Sequence, residues 1–103
     1  MGTGEAIAEV ENPEGRLVRL YALAWSHVLE EHPELEPFLE DTVLTIQRPE
    51  HREPDPRPGR ERYYRRGGPL AWIRVVAELA DGADRVVTAF PQGNDPGVGG
   101  WRR

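Results

Sequence analysis

Residues 70–90 read Leu-Ala-Trp-Ile-Arg-Val-Val-Ala-Glu-Leu-Ala-Asp-Gly-Ala-Asp-Arg-Val-Val-Thr-Ala-Phe, and this stretch decides the fold of the 103-residue chain. Two runs within it, Leu70–Leu79 and Asp84–Phe90, are rich in valine and other residues that favour strands. Between them, Ala80–Gly82 has turn chemistry, and Gly82 suits the left-handed position of a three-residue loop with a bulge. The stretch therefore predicts an antiparallel β-hairpin.

The length of this loop decides which side chains share a face. The odd-numbered residues of the first strand are apolar and are expected to face the core. If Leu79 pairs with Ala83, Arg74 lies directly opposite Thr88 on the face away from the core. A two-residue loop would move Thr88 to the core face, but the bulge expected at Gly82 favours the first register.

Working outward from the hairpin, the preceding segments predict one more strand and one helix. Residues 61–66 form a strand around two tyrosines, and residues 67–69 break it. Residues 49–60 hold four prolines among charged residues and predict a solvated connector. Apolar residues recur at helical spacing from Leu35 to Ile46, which predicts a helix that Pro49 ends.

The N-terminal part predicts another helix and a short strand. Residues 21–31 carry an apolar stripe at helical spacing, and Pro33 ends that helix. Residues 5–11 alternate and suit an exposed strand, followed by a turn over residues 12–15. Residues 16–20 return as the second strand of a hairpin, or else a helix starts near Leu17.

Together these elements predict an α+β domain in which two helices pack on one face of a small antiparallel sheet. The length suits one domain, which we expect over residues 1–91 with a flexible tail over 92–103. There is no cysteine, no secretory signal pattern and no apolar run of membrane-spanning length. We therefore expect a cytoplasmic protein without disulfides.

The net charge of −5 is unevenly distributed. Residues 1–47 hold ten acidic residues and two arginines, whereas residues 48–74 hold eight arginines and four acidic residues. An anionic partner would therefore be attracted by the middle segment and repelled by the N-terminal one. All 13 basic residues are arginine, for which a GC-rich genome is a sufficient explanation.

Five short motifs occur in a recognisable order between residues 16 and 91. They are Trp-Ser-His-Val at 25–28, His-Pro-Glu-Leu at 32–35, Arg-Tyr-Tyr-Arg at 62–65, Trp-Ile-Arg-Val-Val at 72–76 and Val-Val-Thr-Ala-Phe at 86–90. This order resembles the phage-type branch of the barnase, EndoU, colicin and RelE superfamily of RNA-cleaving folds. The resemblance implies two helices packed on a sheet and metal-independent RNA cleavage. It also implies a toxin-like role, with an antitoxin or immunity protein as partner.

RNA cleavage without a metal needs an acid, a base and cations that stabilise the phosphorane. We predict that His27 acts as the base or acid, that Arg65 and Arg74 stabilise phosphate charge, and that Thr88 positions it. The alternative for His27 is a half-buried side chain bonded to Glu31.

Four further residues are predicted to contact substrate: His32, Arg62, Tyr63 and Tyr64. A tyrosine can stack on a base or donate a proton. The alternatives are structural, since His32 can orient the helix turn and arginines on a strand can form a solvated face. His51 reads as a plain surface residue of the connector.

No metal or cofactor is expected. His27 and His32 are five residues apart, which is poor spacing for shared ligation on a helix, and no HExxH motif is present. A rival to the nuclease hypothesis is a non-catalytic module of the same fold that holds an acidic protein or RNA on its arginine face. The oligomeric state is left open.

Overall fold

Six strands and two α-helices make up the part of the chain that the computed structural model describes, residues 4–96. In chain order they are β1 (Ala6–Glu11), β2 (Leu17–Tyr21), α1 (Ala22–Glu31), a 3₁₀ helix (Pro33–Phe38), α2 (Leu39–Gln47), β3 (His51–Pro54), β4 (Arg60–Arg66), β5 (Trp72–Glu78) and β6 (Asp84–Gln92). The α+β class is confirmed. No helix of the described residues is long and apolar enough to cross a membrane.

The strands form one sheet in the order β1-β2-β6-β5-β4-β3. All neighbours are antiparallel except β2 and β6, which run parallel through Val18 with Asp84 and Arg19 with Arg85. The sheet is therefore mixed and larger than the small antiparallel sheet predicted. A parallel pair needs a long connection, which the two helices and three intervening strands supply here.

The N-terminal hairpin is confirmed, because β1 pairs with β2 and the first α-helix begins only at Ala22. The predicted connector is partly wrong, since His51–Pro54 forms the edge strand β3. An edge strand tolerates Pro54 because its outer side needs no N–H donor. The helix predicted from Leu35 is divided at Pro37, so that its first turns are 3₁₀ and the α-helix begins at Leu39.

The predicted hairpin register is wrong by two residues. Arg74 lies opposite Phe90, and Thr88 lies opposite Val76 rather than Arg74. One shift arises at the loop, where Glu78 pairs with Arg85, and the other at a bulge in β6. Because each one-residue shift swaps the faces, the two together leave Arg74 and Thr88 on the same face, as predicted.

One hydrophobic cluster holds the domain together. Both helices contribute to it, as do alternate residues of the strands; its buried members include Val28, Ile46, Tyr63, Val75 and Ala89. The opposite face of β4, β5 and β6 carries Tyr64, Arg74, Val76, Thr88 and Phe90, and we call it the Arg74 face.

The C-terminal boundary differs slightly from the prediction. β6 continues to Gln92, which pairs with Trp72, so the sheet extends into the predicted tail. Residues 97–103 of that tail lie outside the described residues.

Candidate functional site

A row of side chains crosses the Arg74 face from strand to strand. His51 pairs with Tyr64, Tyr64 with Arg74, and Arg74 with Phe90, so that four adjacent strands each contribute one residue. The His51 and Tyr64 rings are 5.6 Å apart, and the His32 ring after α1 lies 5.8 Å from the Phe90 ring. The row therefore brings together three predicted site residues, His32, Tyr64 and Arg74.

Arg74 is held at the centre of this row by rings and an amide. Its Cζ lies 4.5 Å from the centroid of Phe90 and 5.4 Å from that of Tyr64. Its Nε and Nη2 donate to Oε1 of Gln92 over 3.2 and 2.8 Å, and Gln92 in turn donates to the Asn94 carbonyl. Arg74 makes no ion pair within residues 4–96.

The environment of Arg74 disfavours its charge. The residue is half-buried, and this burial lowers the pKa of its guanidinium. Arginine nevertheless stays protonated in proteins, so the charge persists in a partly desolvated site. A bound carboxylate or phosphate would compensate it.

Arg62 lies on the same face but is neutralised by carboxylates. Its Nη1 is 3.2 Å from Glu53 Oε2 and its Nε is 2.8 Å from Asp55 Oδ1. The Tyr64 hydroxyl also donates to Glu53, over 3.0 Å, and burial raises the pKa of Tyr64. Arg62 therefore reads as part of an internal charge network rather than as a contact for substrate.

Tyr63 and Arg65 lie on the other face of β4, because side chains alternate along a strand. Tyr63 is fully buried in the core, and its hydroxyl accepts a hydrogen bond from Asn12 over 2.9 Å. Arg65 donates to the Arg48 carbonyl at the end of α2. Neither side chain is presented with Arg74.

His27 lies in a different place, in a shallow groove of 250 Å³ beside α1. Its side chain is 75% exposed, and its Nδ1 is 3.6 Å from Glu30 rather than bonded to Glu31. The groove is also lined by Arg60, Glu78 and Arg85, among others.

Within this groove Glu78 and Arg85 form an ion pair of 2.6 Å. The hydrogen bond from Arg85 lowers the pKa of Glu78, which makes its carboxylate a weaker base.

The structure thus divides the four residues predicted to be catalytic. Arg74 and Thr88 share a face, Arg65 projects from the opposite face, and His27 lines the groove with other charged residues. The sequence reasoning missed Phe90 and Gln92 as neighbours of Arg74. The correct register would have identified both, but the bulge in β6 that sets it has no glycine to mark it.

Within residues 4–96 no cluster of three or more histidine, aspartate or glutamate side chains could hold a metal ion. Neither a protein-family model nor a curated protein nor a solved structure matches this chain. The resemblance to RNA-cleaving folds therefore stays a prediction.

Proposed function

We propose that this chain is a non-catalytic binding module that holds an acidic segment of a partner protein at Arg74. The observation that carries this proposal is a half-buried guanidinium whose polar partner is the neutral amide of Gln92. Two of its N–H groups donate to that amide, which leaves donors of the fork for a ligand. A carboxylate matches the planar fork of a guanidinium. Its negative charge would also compensate the partly desolvated positive charge of Arg74.

An acidic protein segment fits this site better than RNA does. The Tyr64 ring is buried, and the partly buried Phe90 ring already contacts Arg74 and His32, so both rings are less available for stacking on bases. Glu53 and Asp55 lie on the neighbouring Arg62. A polyanion would be repelled by these carboxylates and by the net charge of −5, whereas a single carboxylate needs only one cation.

The test is binding of short peptides that carry one to four acidic residues, measured by fluorescence anisotropy against the folded chain. Arg74→Gln should weaken binding by about tenfold or more, because a hydrogen bond to a charged group is lost. Arg74→Lys should restore it only in part, since an ammonium lacks the planar fork.

The matched control is Arg85→Gln, an exposed arginine of the neighbouring strand that already pairs with Glu78. It should leave peptide binding unchanged. Equal affinity of wild type and Arg74→Gln would overturn the proposal, as would binding of single-stranded RNA in preference to every peptide.

A second candidate function is metal-independent RNA cleavage at the groove. The observation that favours it is that His27 and Glu78 line one groove with Arg60, which supplies two titratable side chains and a cation beside the Glu78–Arg85 ion pair. One side chain would take the proton of a 2′-hydroxyl as that oxygen attacks phosphorus. The other would protonate the departing 5′-oxygen, which leaves a 2′,3′-cyclic phosphate. A toxin of this kind would be held inactive by an antitoxin or immunity protein.

The test for this candidate is cleavage of total RNA in excess chelator by wild type, His27→Ala and Arg74→Ala. If the groove is catalytic, cleavage persists with chelator and His27→Ala lowers the rate by about a hundredfold or more. Loss with Arg74→Ala alone would move the chemistry to the Arg74 face. Equal rates for all three proteins would indicate a contaminant, and no cleavage by any would reject the candidate.

A further inference from the structure

The sheet has two edges, and the chain protects them differently. β3 is a four-residue edge strand that ends at Pro54, with Pro56 and Pro58 directly after it. Proline cannot donate to a further strand, so this edge is poorly suited to pairing. β1, at the other edge, has six residues and contains no proline.

The second half of β1, from Ala8 to Glu11, pairs regularly with β2. A bulge interrupts its pairing with β2 between Ala6 and Ala8, and from Ala8 to Glu11 the residues pair without interruption. Within residues 4–96, no strand pairs with the other side of β1. The backbone groups on that side of β1 are not used by another strand, and unpaired groups of this kind can accept one more strand.

The side chains of this stretch alternate in character. Ala8 and Val10 are half-buried and pack against the core. Glu9 and Glu11 are exposed, and Glu9 is 2.6 Å from Arg19 of β2. Glu11 makes no ion pair within the described residues, so its charge is unbalanced by a direct partner.

We infer that the open edge of β1 binds an extended segment of a partner protein in which lysine or arginine alternates with apolar residues. A strand added beside Ala8–Glu11 would place every second side chain next to the glutamates. The intervening side chains would continue the apolar row of Ala8 and Val10. The charge at this edge favours a basic occupant, because Glu9 and Glu11 are both exposed and Glu11 has no ion pair within the described residues.

A second copy of this chain is a poor occupant of the same edge. Pairing β1 with β1 would bring Glu9 and Glu11 of one copy close to glutamates of the other, and like charges on facing strands are destabilising. This inference is independent of the proposed binding at Arg74, which lies on strand β5, three places along the sheet.

The experiment uses a peptide of alternating lysine and valine and a control peptide of the same composition in block order. Binding to the full chain is measured by calorimetry, and amide hydrogen exchange is followed at residues 8–11. The alternating peptide should bind more tightly than the block peptide and should slow exchange at those amides.

Glu11→Gln should weaken binding of the alternating peptide up to about fivefold, and Glu11→Lys should weaken it further, as expected of a cross-strand charge pair. Glu36→Lys, an exposed change in the 3₁₀ helix that makes the same charge difference, is the control and should have a smaller effect. Equal binding of both peptides, unchanged exchange at residues 8–11, or a dimer of the free chain that protects these amides would overturn the inference.

Discussion

At the scale of single residues, Asp84 shows how this chain stabilises a buried carboxylate. Its side chain is fully buried and accepts hydrogen bonds from Arg16 Nε at 2.9 Å and Nη2 at 2.6 Å. It also accepts one from the Ala80 backbone N–H at 3.0 Å. These bonds connect the start of β2 to the loop between β5 and β6.

The pH dependence of stability should report this arrangement. Burial alone would raise the pKa of Asp84, but the hydrogen bonds from Arg16 and Ala80 outweigh it and hold the pKa below 3.8. A carboxyl with a lowered pKa contributes stability above its unfolded value of 3.8, and that stability is lost as the pH falls through the folded value. Asp84→Asn should therefore lower the free energy of unfolding at pH 7 by about 1.5–3 kcal/mol. The same substitution should also make the free energy of unfolding fall less steeply as the pH is lowered below 4.

The measurement is urea denaturation at neutral pH and at several values below pH 4, compared with Asp81→Asn. Asp81 is exposed in the same loop, so its variant should behave like wild type. If the two variants have the same acid profile, the hydrogen bonds to Asp84 do not have this role.

The environment of Arg74 shows the limit of prediction at this scale. Alternation along the strands, together with the register chosen from Gly82, placed Arg74 and Thr88 on the face away from the core; the shared face is confirmed although that register is wrong. The neighbours of Arg74 could not be derived from the sequence. They depend on the bulge in β6 and on a loop between β5 and β6 that shifts the pairing by one residue from the expected register. Local residue preferences do not determine either.

At the scale of elements, the turn between β4 and β5 depends on a close approach of backbone to core. Gly68 has φ +76°, and a Cβ at this position would lie 2.8 Å from Cγ1 of Ile73. Gly82, in the turn between β5 and β6, has a similar φ of +84° but nothing within 4 Å. Substitutions at these two glycines can therefore distinguish two contributions to the loss of stability: the strain of a positive φ, which both share, and the steric clash, which occurs only at Gly68.

Alanine at each position should give different losses of stability. Gly82→Ala should lower the free energy of unfolding by about 1–2 kcal/mol, because a side chain rarely adopts this backbone conformation. Gly68→Ala should cost roughly 1–3 kcal/mol more, because Ile73 must move. Chemical denaturation followed by circular dichroism checks this, and equal losses would show that Ile73 accommodates the methyl group freely.

The elements with strong periodicity were predictable and the irregular ones were not. The hairpin of β5 and β6, the strand β4 and both α-helices follow from apolar spacing and from glycine and proline. β3 was missed because its sequence is charged and ends in proline, so its pairing with β4 depends on neighbours rather than on its own residues.

At the scale of the whole molecule, the sheet is connected from end to end by polar contacts. Arg52 of β3 donates to Glu14 in the first turn and to Glu61 of β4, both over 2.6 Å. Asn12 of that turn donates to the Tyr63 hydroxyl inside the core. The turn after β1 therefore reaches strands on the far side of the sheet.

These contacts also revise the charge argument made from the sequence. The arginines of the middle segment were expected to attract an anionic partner, but Arg52 and Arg62 are satisfied by carboxylates of this chain. A net charge by segment cannot show such pairing, since it depends on the tertiary fold. Of these arginines, Arg74 is the one that is half-buried on its strand with a neutral amide as its hydrogen-bond acceptor.

The parallel pairing of β2 with β6 has a consequence for the order in which the protein is made. β6 lies between the N-terminal hairpin and the remaining strands, yet a ribosome synthesises it after all of them. Until residues 84–92 have left the exit tunnel, the nascent chain lacks the one strand that pairs with both β2 and β5. The six-stranded sheet can therefore be completed only after the last strand has been synthesised, because β6 alone joins β2 to β5.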